Sequence, residues 1–529
     1  MSRGEREILG TVHPAGAPAA PPVEEESARP LIPLERPAAE GTSVTPEVPW
    51  FPARDDLGET PRVVTGAPGE PTRFLGRSTT VVHHALDPAA LLAQARFLRG
   101  EASRVLEAGP AGRIPNALEP LLEAWRDPGS PERREAESLI PDLTGYSPPV
   151  VREGLDRAFD QWTAQGFRRL LERELGGAEA LEGWRPLERG GRVIRTRALT
   201  PGFVQIVAAG NIPTTPMLAV LHSLLLRSGC MVKVSSRDPI SATLFARSIR
   251  RRIPTWSGLV SVVYPGGGGS LLPVPAREGA VIGFGSDATV ERLEREIPPG
   301  VPHSLHGHKL SLGVLLAESL RAERMEDTAR RVARDVALFD QQGCLSPLFH
   351  LFETPPERRN AHGAPREAFL EELTRAVAGA LVRAARELPP RRLDLPTASA
   401  VRQWRARAVA RRHAGLPCAL AFSEPDLSWS VAALGRLEPV APILPRVVRL
   451  LPLPSPEALR RALASAAGAL STLSWAGDRG RLGPWEAVLF GMGISRVVPA
   501  GGMQEPSPLW FHDGRANLRP LVRWVDEED

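Results

Sequence analysis

From about residue 200 onward, short apolar runs alternate with longer segments of helical periodicity, and this alternation leaves few folds open. "GFVQIVAAG" reads as a buried strand, "TPMLAVLHSLLLRSG" as a helix closed by Gly229, and "CMVKVSS" as a second strand. "DPISATLFARSIRRR" reads as a helix with an aspartate cap, and "LVSVVYPGGGG" as a strand followed by a glycine loop. "GAVIGFGSDATVERLEREI" is strand, turn and helix. Strands joined by crossover helices make a parallel α/β sheet, and such sheets bind ligands at the carboxyl ends of their strands. Asn211 falls there after the first strand, Lys233 with Ser235 and Ser236 at the second, Gly266–Gly269 after the third, and Gly285 with Ser286 after the fourth.

A second αβ series follows. "RMEDTARRVARDVALFD" is an amphipathic helix that "QQGCLSP" breaks. Strand "LFHLF", helix "REAFLEELTRAVAGALVRAARE", strand "VVRLLPL" and helix "SPEALRRALASAAGAL" continue it, followed by "STLSWAG". Apolar spacing of three to four makes 85–190 helical, and the Pro/Ala/Glu-rich stretch 1–60 is expected to be a disordered tail. The expected division is a tail over 1–60, a helical region with a dinucleotide-binding domain over 61–335, a catalytic cysteine domain over 336–490, and a C-terminal segment over 491–529. That segment is expected to return to the cofactor domain or to an interface.

Bulk properties exclude several classes. With 65 Lys+Arg against 61 Asp+Glu and no basic cluster interleaved with aromatics, nucleic acid is not an expected partner. Three cysteines make no disulfide framework and show no zinc-ligand spacing, so no metal is expected. No apolar run reaches membrane-span length and the N-terminus has no signal-like apolar region, so a reducing, cytoplasmic setting is expected.

Each candidate residue carries a bland reading beside the chemical one. "PGGGGS" lacks phosphate-loop spacing and reads first as a flexible turn. Lys233 ends an apolar strand, where it either snorkels to water or meets a phosphate, hydroxyl or carboxylate. Asn211, just before Ile212-Pro213, either caps the next helix or points an N–H at a developing oxyanion. The cluster His303, His306 and His308 reads as a solvated loop. Cys230 and Cys418 lie in apolar strands and read as structural. Cys344 differs, because Gly343 permits close approach, Pro347 stops the chain, and Gln341 and Gln342 are poor core residues. A thiol on such a turn can be presented at a cleft, where a lowered pKa would make it nucleophilic.

In order along the chain, "AGNIPTTPMLAVLHSLLLRSGCMVKVSSRDP", "GFGSDATVERLE", "HGHKLSLGVL", "DVALFDQQGCLSP" and "GISRVVPAGGMQEPSPLWFHDGR" resemble the LuxC-like acyl-CoA reductase family, a branch of the aldehyde dehydrogenase superfamily. The resemblance implies an α/β, aldehyde-dehydrogenase-like fold with a Rossmann-type cofactor domain and an α/β catalytic domain. It implies that Cys344 holds the acyl group as a thioester and that Asn211 helps form the oxyanion hole. It implies that Lys233 contacts the adenosine ribose of the dinucleotide and that Gly285 and Ser286 form a turn near the cofactor; Ser235 and Ser236 are grouped with them. NADPH is the expected cofactor, with NADH the alternative, and the expected substrate is a fatty acyl-CoA or another activated acyl donor. A homo-oligomer and an acyl-activating partner enzyme are the expected associations. Hydrolytic relatives carry Glu-Leu-Gly-Gly-Lys, whose Glu activates water; here the segment is "LHGHK", which favours thioester reduction over acid formation. His306 and His308 are candidate proton donors there. A cysteine acyltransferase without hydride transfer, or a non-catalytic partner in a reductase complex, are the rival functions.

Overall fold

The computed structural model describes residues 43–44, 72–76, 80–83, 86–189, 192–264, 271–272, 279–438 and 444–528. All of the expected tail except one two-residue strand, and all of Gly266–Gly269, lie outside the described residues.

A small sheet of β1 (Ser43–Val44), β2 (Thr72–Leu75) and β3 (Thr80–His83) precedes the helices α1 (Pro88–Leu106), α2 (Ile114–Ala117), α3 (Glu119–Arg126), α4 (Pro131–Thr144), α5 (Pro148–Gln161) and α6 (Ala164–Leu175). Their starts follow from local chemistry: Asp87, Ser130 and Thr163 accept hydrogen bonds from Ala90, Arg133 and Gly166 N–H groups at 2.7, 3.2 and 3.0 Å. The helices bury an aromatic centre in which Trp125 stacks on Phe159 at 5.1 Å. The Trp125 indole N–H reaches Ser248 Oγ at 2.7 Å and so ties this layer to the sheet domain behind it. β4 (Arg185–Arg189) and β5 (Arg192–Leu199) then form a hairpin.

The first large sheet contains β6 (Phe203–Val207), β7 (Gly229–Lys233), β8 (Val260–Val263), β9 (Ala280–Phe284) and β10 (His303–His306), all parallel, in the order β10-β9-β6-β7-β8. Helices α7 (Thr214–Leu225), α8 (Ser241–Arg252) and α9 (Asp287–Glu296) connect them. The chain builds outward from β6 to β8, then crosses to β9 and builds the other way. The strand order therefore reverses between β6 and β9, which opens a crevice at their carboxyl ends. Gly229 does not close α7 as expected. Arg227 makes the left-handed turn (φ 56°), and Gly229 opens β7, where a Cβ would sit 2.5 Å from the Leu98 carbonyl oxygen. Asp238 does cap α8, accepting from Ile240 and Ser241 N–H at 3.3 and 3.0 Å.

Only Gly307, His308 and Lys309 separate β10 from the second sheet. This contains β11 (Leu310–Leu315), β12 (Pro347–Phe352), β13 (Cys418–Phe422), β14 (Ser430–Leu434), β15 (Val447–Pro452), β16 (Leu470–Ala476) and β17 (Arg496–Pro499), in the order β13-β14-β15-β12-β11-β16-β17. All neighbours are parallel except the edge pair β13 and β14. Helices α10 (Ala322–Ala337), α11 (Glu367–Glu387), α12 (Leu395–His413), α13 (Pro456–Ala462) and α14 (Gly483–Gly491) accompany it. The expected boundary at 335/336 thus falls inside α10, after β11 has already joined this sheet. The last strand, β18 (Arg523–Glu528), returns to pair with β5 and completes a three-stranded ribbon with β4.

Candidate active site

The amphipathic pattern of α10 would carry a helix to Asp340, but the helix stops at Ala337 and Phe339, Asp340 and Gln341 take φ values of 55°, 51° and 57°. Left-handed backbone costs a residue with a Cβ roughly 1–2 kcal/mol, so neighbours must hold the turn. Asp340 is buried and accepts from Arg446 Nε at 2.6 Å and from the Arg391 N–H at 3.2 Å. Arg446, equally buried, also donates to the carbonyls of Ala337 at 3.0 Å and Leu388 at 2.7 Å. Phe339 packs edge-on against Tyr146 and occupies the space that a side chain at Gly154 would take. Gln341 is not the poor core residue it was expected to be. It is 2% exposed and donates to the Pro347 carbonyl at 2.8 Å. Pro347 is not a stop either, because it begins β12. Gly343 does permit close approach: a Cβ there would lie 3.1 Å from Ile212 Cδ1.

This turn leaves Cys344 half-buried, while Cys230 and Cys418 are buried within β7 and β13. Ser311 Oγ donates to the Cys344 carbonyl at 2.7 Å and accepts the Thr472 N–H at 3.2 Å, so β11 and β16 fix the loop. The thiol is not at a lowered pKa. Burial first, and the nearby Asp513 carboxylate second, push it up to about 12. The backbone N–H groups of Cys344 and Leu345 and the charge of Arg496 pull the other way without prevailing.

Asn211 does not cap α7, whose start has no side-chain cap. Its Nδ2 instead donates to the Gln342 carbonyl of the cysteine turn at 3.1 Å, and its own carbonyl accepts from Tyr146 Oη at 2.8 Å. Asn211 and the Cys344 loop are therefore brought together. Lys233, at the carboxyl end of β7, is 6% exposed, which removes the snorkelling reading. Ser235 Oγ accepts the Arg237 N–H at 3.2 Å, and Ser236 is exposed. Gly285 follows β9, where a Cβ would lie 2.6 Å from Thr289 Cγ2, and Ser286 caps α9 by accepting the Thr289 N–H at 3.3 Å. Asn211 and Gly285 thus stand on the two sides of the crevice between β6 and β9. A dinucleotide fits this arrangement: a strand-order reversal, a glycine turn at one lip and a buried lysine one strand away.

The histidine cluster divides: His308 is exposed in the link after β10, as a solvated loop would have it, and His303 is exposed at the start of that strand, but His306 departs from the reading. His303–His306 is β10, and His306 is buried. Its Nδ1 lies 3.1 Å from Asp513 Oδ2 and its Nε2 3.0 Å from Ser304 Oγ. Its ring lies 5.1 Å from Phe284 and 4.0 Å from His512, which are 5.9 Å from each other, and Trp510 is 4.6 Å from His512. Burial drives the His512 imidazole down to about 3. Burial also opposes charge on Asp513, but the His306 hydrogen bond and the neighbouring His512 and Lys309 outweigh it and hold the carboxyl below its usual range. Donor atoms of His306, His512 and Asp513 lie within 4.8 Å of one another. The two imidazoles are stacked with 20° between their planes, so their in-plane lone pairs run side by side and do not converge on one ion. No local signal joins "HGHK" to "HDGR", because 207 residues separate His306 from Asp513.

Among the described residues, a five-stranded parallel sheet is followed by a seven-stranded one, and this fold is shared with solved aldehyde dehydrogenases. Aldehyde dehydrogenase 21 from Physcomitrella patens, in complex with the reaction product succinate, aligns with a TM-score of 0.60 at 12% identity, over 88% of this chain and 96% of that one. A glyceraldehyde-3-phosphate dehydrogenase from Methanocaldococcus jannaschii complexed with NADP aligns with a TM-score of 0.58 at 12% identity, over 88% and 100%. The family model for acyl-CoA reductase (LuxC) matches residues 112–524, and the chain belongs to that family. It is 25% identical over 240 residues to the long-chain acyl-protein thioester reductase of Aliivibrio fischeri, covering 44% of this chain and 48% of that protein. The corresponding values for the Vibrio harveyi reductase are 26% over 239 residues, 44% and 48%. The chain thus matches about half the length of these curated relatives. Among the described residues, no helix is long and apolar enough to cross a membrane.

Proposed function

We propose that this protein reduces a fatty acyl thioester to the aldehyde through an acyl group held on Cys344. The observation that carries the reading is the Asn211 amide, hydrogen-bonded at 3.1 Å to the carbonyl two residues before Cys344. An amide donor fixed beside a half-buried thiol is the arrangement needed to stabilise an oxyanion at an attacked carbonyl, worth about 2.7–4 kcal/mol in comparable sites. Cys344 attacks the thioester carbonyl, the donor thiol leaves, and the acyl group stays on sulfur. Asn211 Nδ2 and the Cys344 N–H serve the oxyanion.

Lys233, Ser235, Ser236, Gly285 and Ser286 would hold the nicotinamide cofactor at the crevice of the first sheet. NADPH is the preferred cofactor and NADH the alternative. Bound there, the cofactor supplies the hydride that the acyl carbon needs. Acyl-CoA is the proposed donor, with an acyl protein or acyl adenylate as the other forms of activated acyl. The first sheet acts as the cofactor domain and the second as the cysteine domain, in a cytoplasmic homo-oligomer that works with an acyl-activating partner.

The test is labelling with radioactive tetradecanoyl-coenzyme A without cofactor, followed by addition of NADPH or NADH. Thioester label should accumulate on the wild type and on Cys230→Ala and Cys418→Ala, leave as aldehyde on cofactor addition, and be absent from Cys344→Ala. Label retained by Cys344→Ala overturns the reading. Labelling without aldehyde from either cofactor makes the protein an acyltransferase.

A further inference from the structure

We propose that Tyr146 is a positioning residue for acylation: its hydroxyl fixes the Asn211 backbone, and through it the amide that serves the oxyanion. The proposal rests on the acyl-cysteine reading above and names what holds that amide against the cysteine turn.

Asn211 needs support from outside its own segment. It lies in the link between β6 and α7, on neither element. Pro213, two residues on, has no N–H to give, and α7 starts without a side-chain cap. Tyr146 Oη supplies the support by donating to the Asn211 carbonyl at 2.8 Å. The peptide group held in this way joins Asn211 to Ile212, whose Cδ1 sits against Gly343 of the cysteine turn. Asn211 thus carries two hydrogen bonds in series, Tyr146 on its backbone and Gln342 on its side chain at 3.1 Å.

Tyr146 can do this because its own mount is rigid. It is 3% exposed and stands in the short link between α4 and α5. Gly145 closes α4 in the left-handed region (φ 79°), with its N–H on the Pro141 carbonyl at 3.1 Å, and Pro148 opens α5. The Tyr146 ring meets Phe339 edge-on at 5.6 Å, and Phe339 also fills the space beside Gly154 on α5. Arg391 stands over the same ring, its Cζ 6.0 Å from the centroid, and its Nη2 donates to Gln342 Oε1 at 3.4 Å. The contacts close on themselves: Tyr146 to Asn211, Asn211 to Gln342, Gln342 to Arg391, and Arg391 back to Tyr146. Gln342 is two residues before Cys344, so the circuit joins the amide to the turn that carries the thiol. Burial raises the phenol above its usual range, so the hydroxyl remains a donor at neutral pH.

An oxyanion donor acts only if it is held where the charged oxygen will form, and a loose support forfeits that. A phenylalanine at 146 keeps the ring contacts with Phe339 and Arg391 and removes only the bond to Asn211. Its effect should therefore fall on the amide and leave the cysteine turn in place.

The experiment compares wild type, Tyr146→Phe, Asn211→Ala and the double variant without cofactor. It measures the burst of label from radioactive tetradecanoyl-coenzyme A on Cys344 by rapid quench. It also measures the rate of Cys344 alkylation by iodoacetamide at one fixed pH, followed on the Cys344 peptide. Alkylation displaces iodide from a saturated carbon and forms no oxyanion, so it reads the thiol and its turn without the amide. Tyr146→Phe should slow acylation by ~10–10²-fold and leave alkylation at the wild-type rate. In the Asn211→Ala background the same change should slow acylation no further, because the two side chains act as one unit. Acylation of Tyr146→Phe at the wild-type rate overturns the proposal. So does an equal slowing of acylation and alkylation, since the hydroxyl would then support the turn as a whole. A double variant in which the two losses multiply overturns it as well, since Tyr146 would then act without Asn211. A wild type that takes no label on Cys344 would instead sink the function reading. A labelled wild type with an unimpaired Tyr146→Phe sinks this proposal alone.

Discussion

At the residue scale, Asn211 shows why a side chain's partner matters more than its place after a strand. Both a helix cap and an oxyanion donor are consistent with an asparagine at that position, but its Nδ2 crosses to Gln342, 131 residues away. Asn211→Ala should therefore lower the acylation rate by ~10²–10³-fold. Its urea unfolding midpoint should stay close to wild type, because one partly exposed hydrogen bond contributes only about 0.5–1.5 kcal/mol. A rapid-quench measurement of label on Cys344 checks this, and an unchanged rate would remove Asn211 from the site. Lys233 makes the complementary case. Lys233→Ala should weaken binding of NADPH, read by quenching of its fluorescence, while burst acylation changes far less, since β7 lies one strand from the crevice lip. An equal loss in both would give Lys233 another role.

At the element scale, the turn after α10 is the feature that binds the two halves of the site. Three consecutive left-handed residues are unfavourable alone, and the Asp340–Arg446 pair holds them from β15's end of the second sheet. Arg446→Met leaves Asp340 buried without its cation, and should cost about 3–5 kcal/mol in urea unfolding. Arg446→Lys should recover only part, since an ammonium cannot present the guanidinium fork that meets Asp340, Ala337 and Leu388 together. A cost below 1 kcal/mol for Arg446→Met would mean that Phe339 and Gln341 hold the turn without the pair. None of this was legible beforehand, because the helical periodicity of "ARRVARDVALFD" continues through the residues that break it. The alternating strands and helices were legible, because the 3.6-residue period and the apolar runs are local signals. The close approach at Gly343 was legible too, whereas Pro347, read as a stop, begins β12. The pairs His306–Asp513 and Asp340–Arg446 were not legible, since each joins residues more than a hundred apart and no local pattern encodes which buried charge meets which. The Cys418 strand β13 was legible, but its edge partner β14 escaped for a different reason: it is a short, Ala-rich strand with weak periodicity.

At the scale of the whole molecule, both sheets are tied to pH through imidazoles they bury uncharged. His222 on α7, His350 on β12 and His512 near the C-terminus are each driven down to about 3, in every case chiefly by burial. His350 is the simplest of the three. Neither of its ring nitrogens has a protein partner, and its ring fills the space left by the missing side chain of Gly313 on β11. In the unfolded chain these groups titrate near 6.5, so below that pH the unfolded state binds protons that the native state refuses. Their contribution is fully present above pH 6.5 and is lost as pH falls toward 3. Asp335 works in the opposite sense. Burial raises its carboxyl to about 7, so between about 3.8 and 7 the native state holds a proton that the unfolded state has released. The net slope therefore depends on several groups, but the difference between wild type and a single variant isolates one. His350→Leu replaces a proton acceptor by an apolar side chain in an apolar strand. It should leave urea stability at pH 7.5 near or above wild type. Between pH 6 and 4.5 it should flatten the loss of stability by about one proton, or ~1.4 kcal/mol per pH unit. Urea midpoints for both proteins across that range decide it. Parallel curves would show that His350 takes up its proton in the native state, with a water or a rearranged strand as its partner.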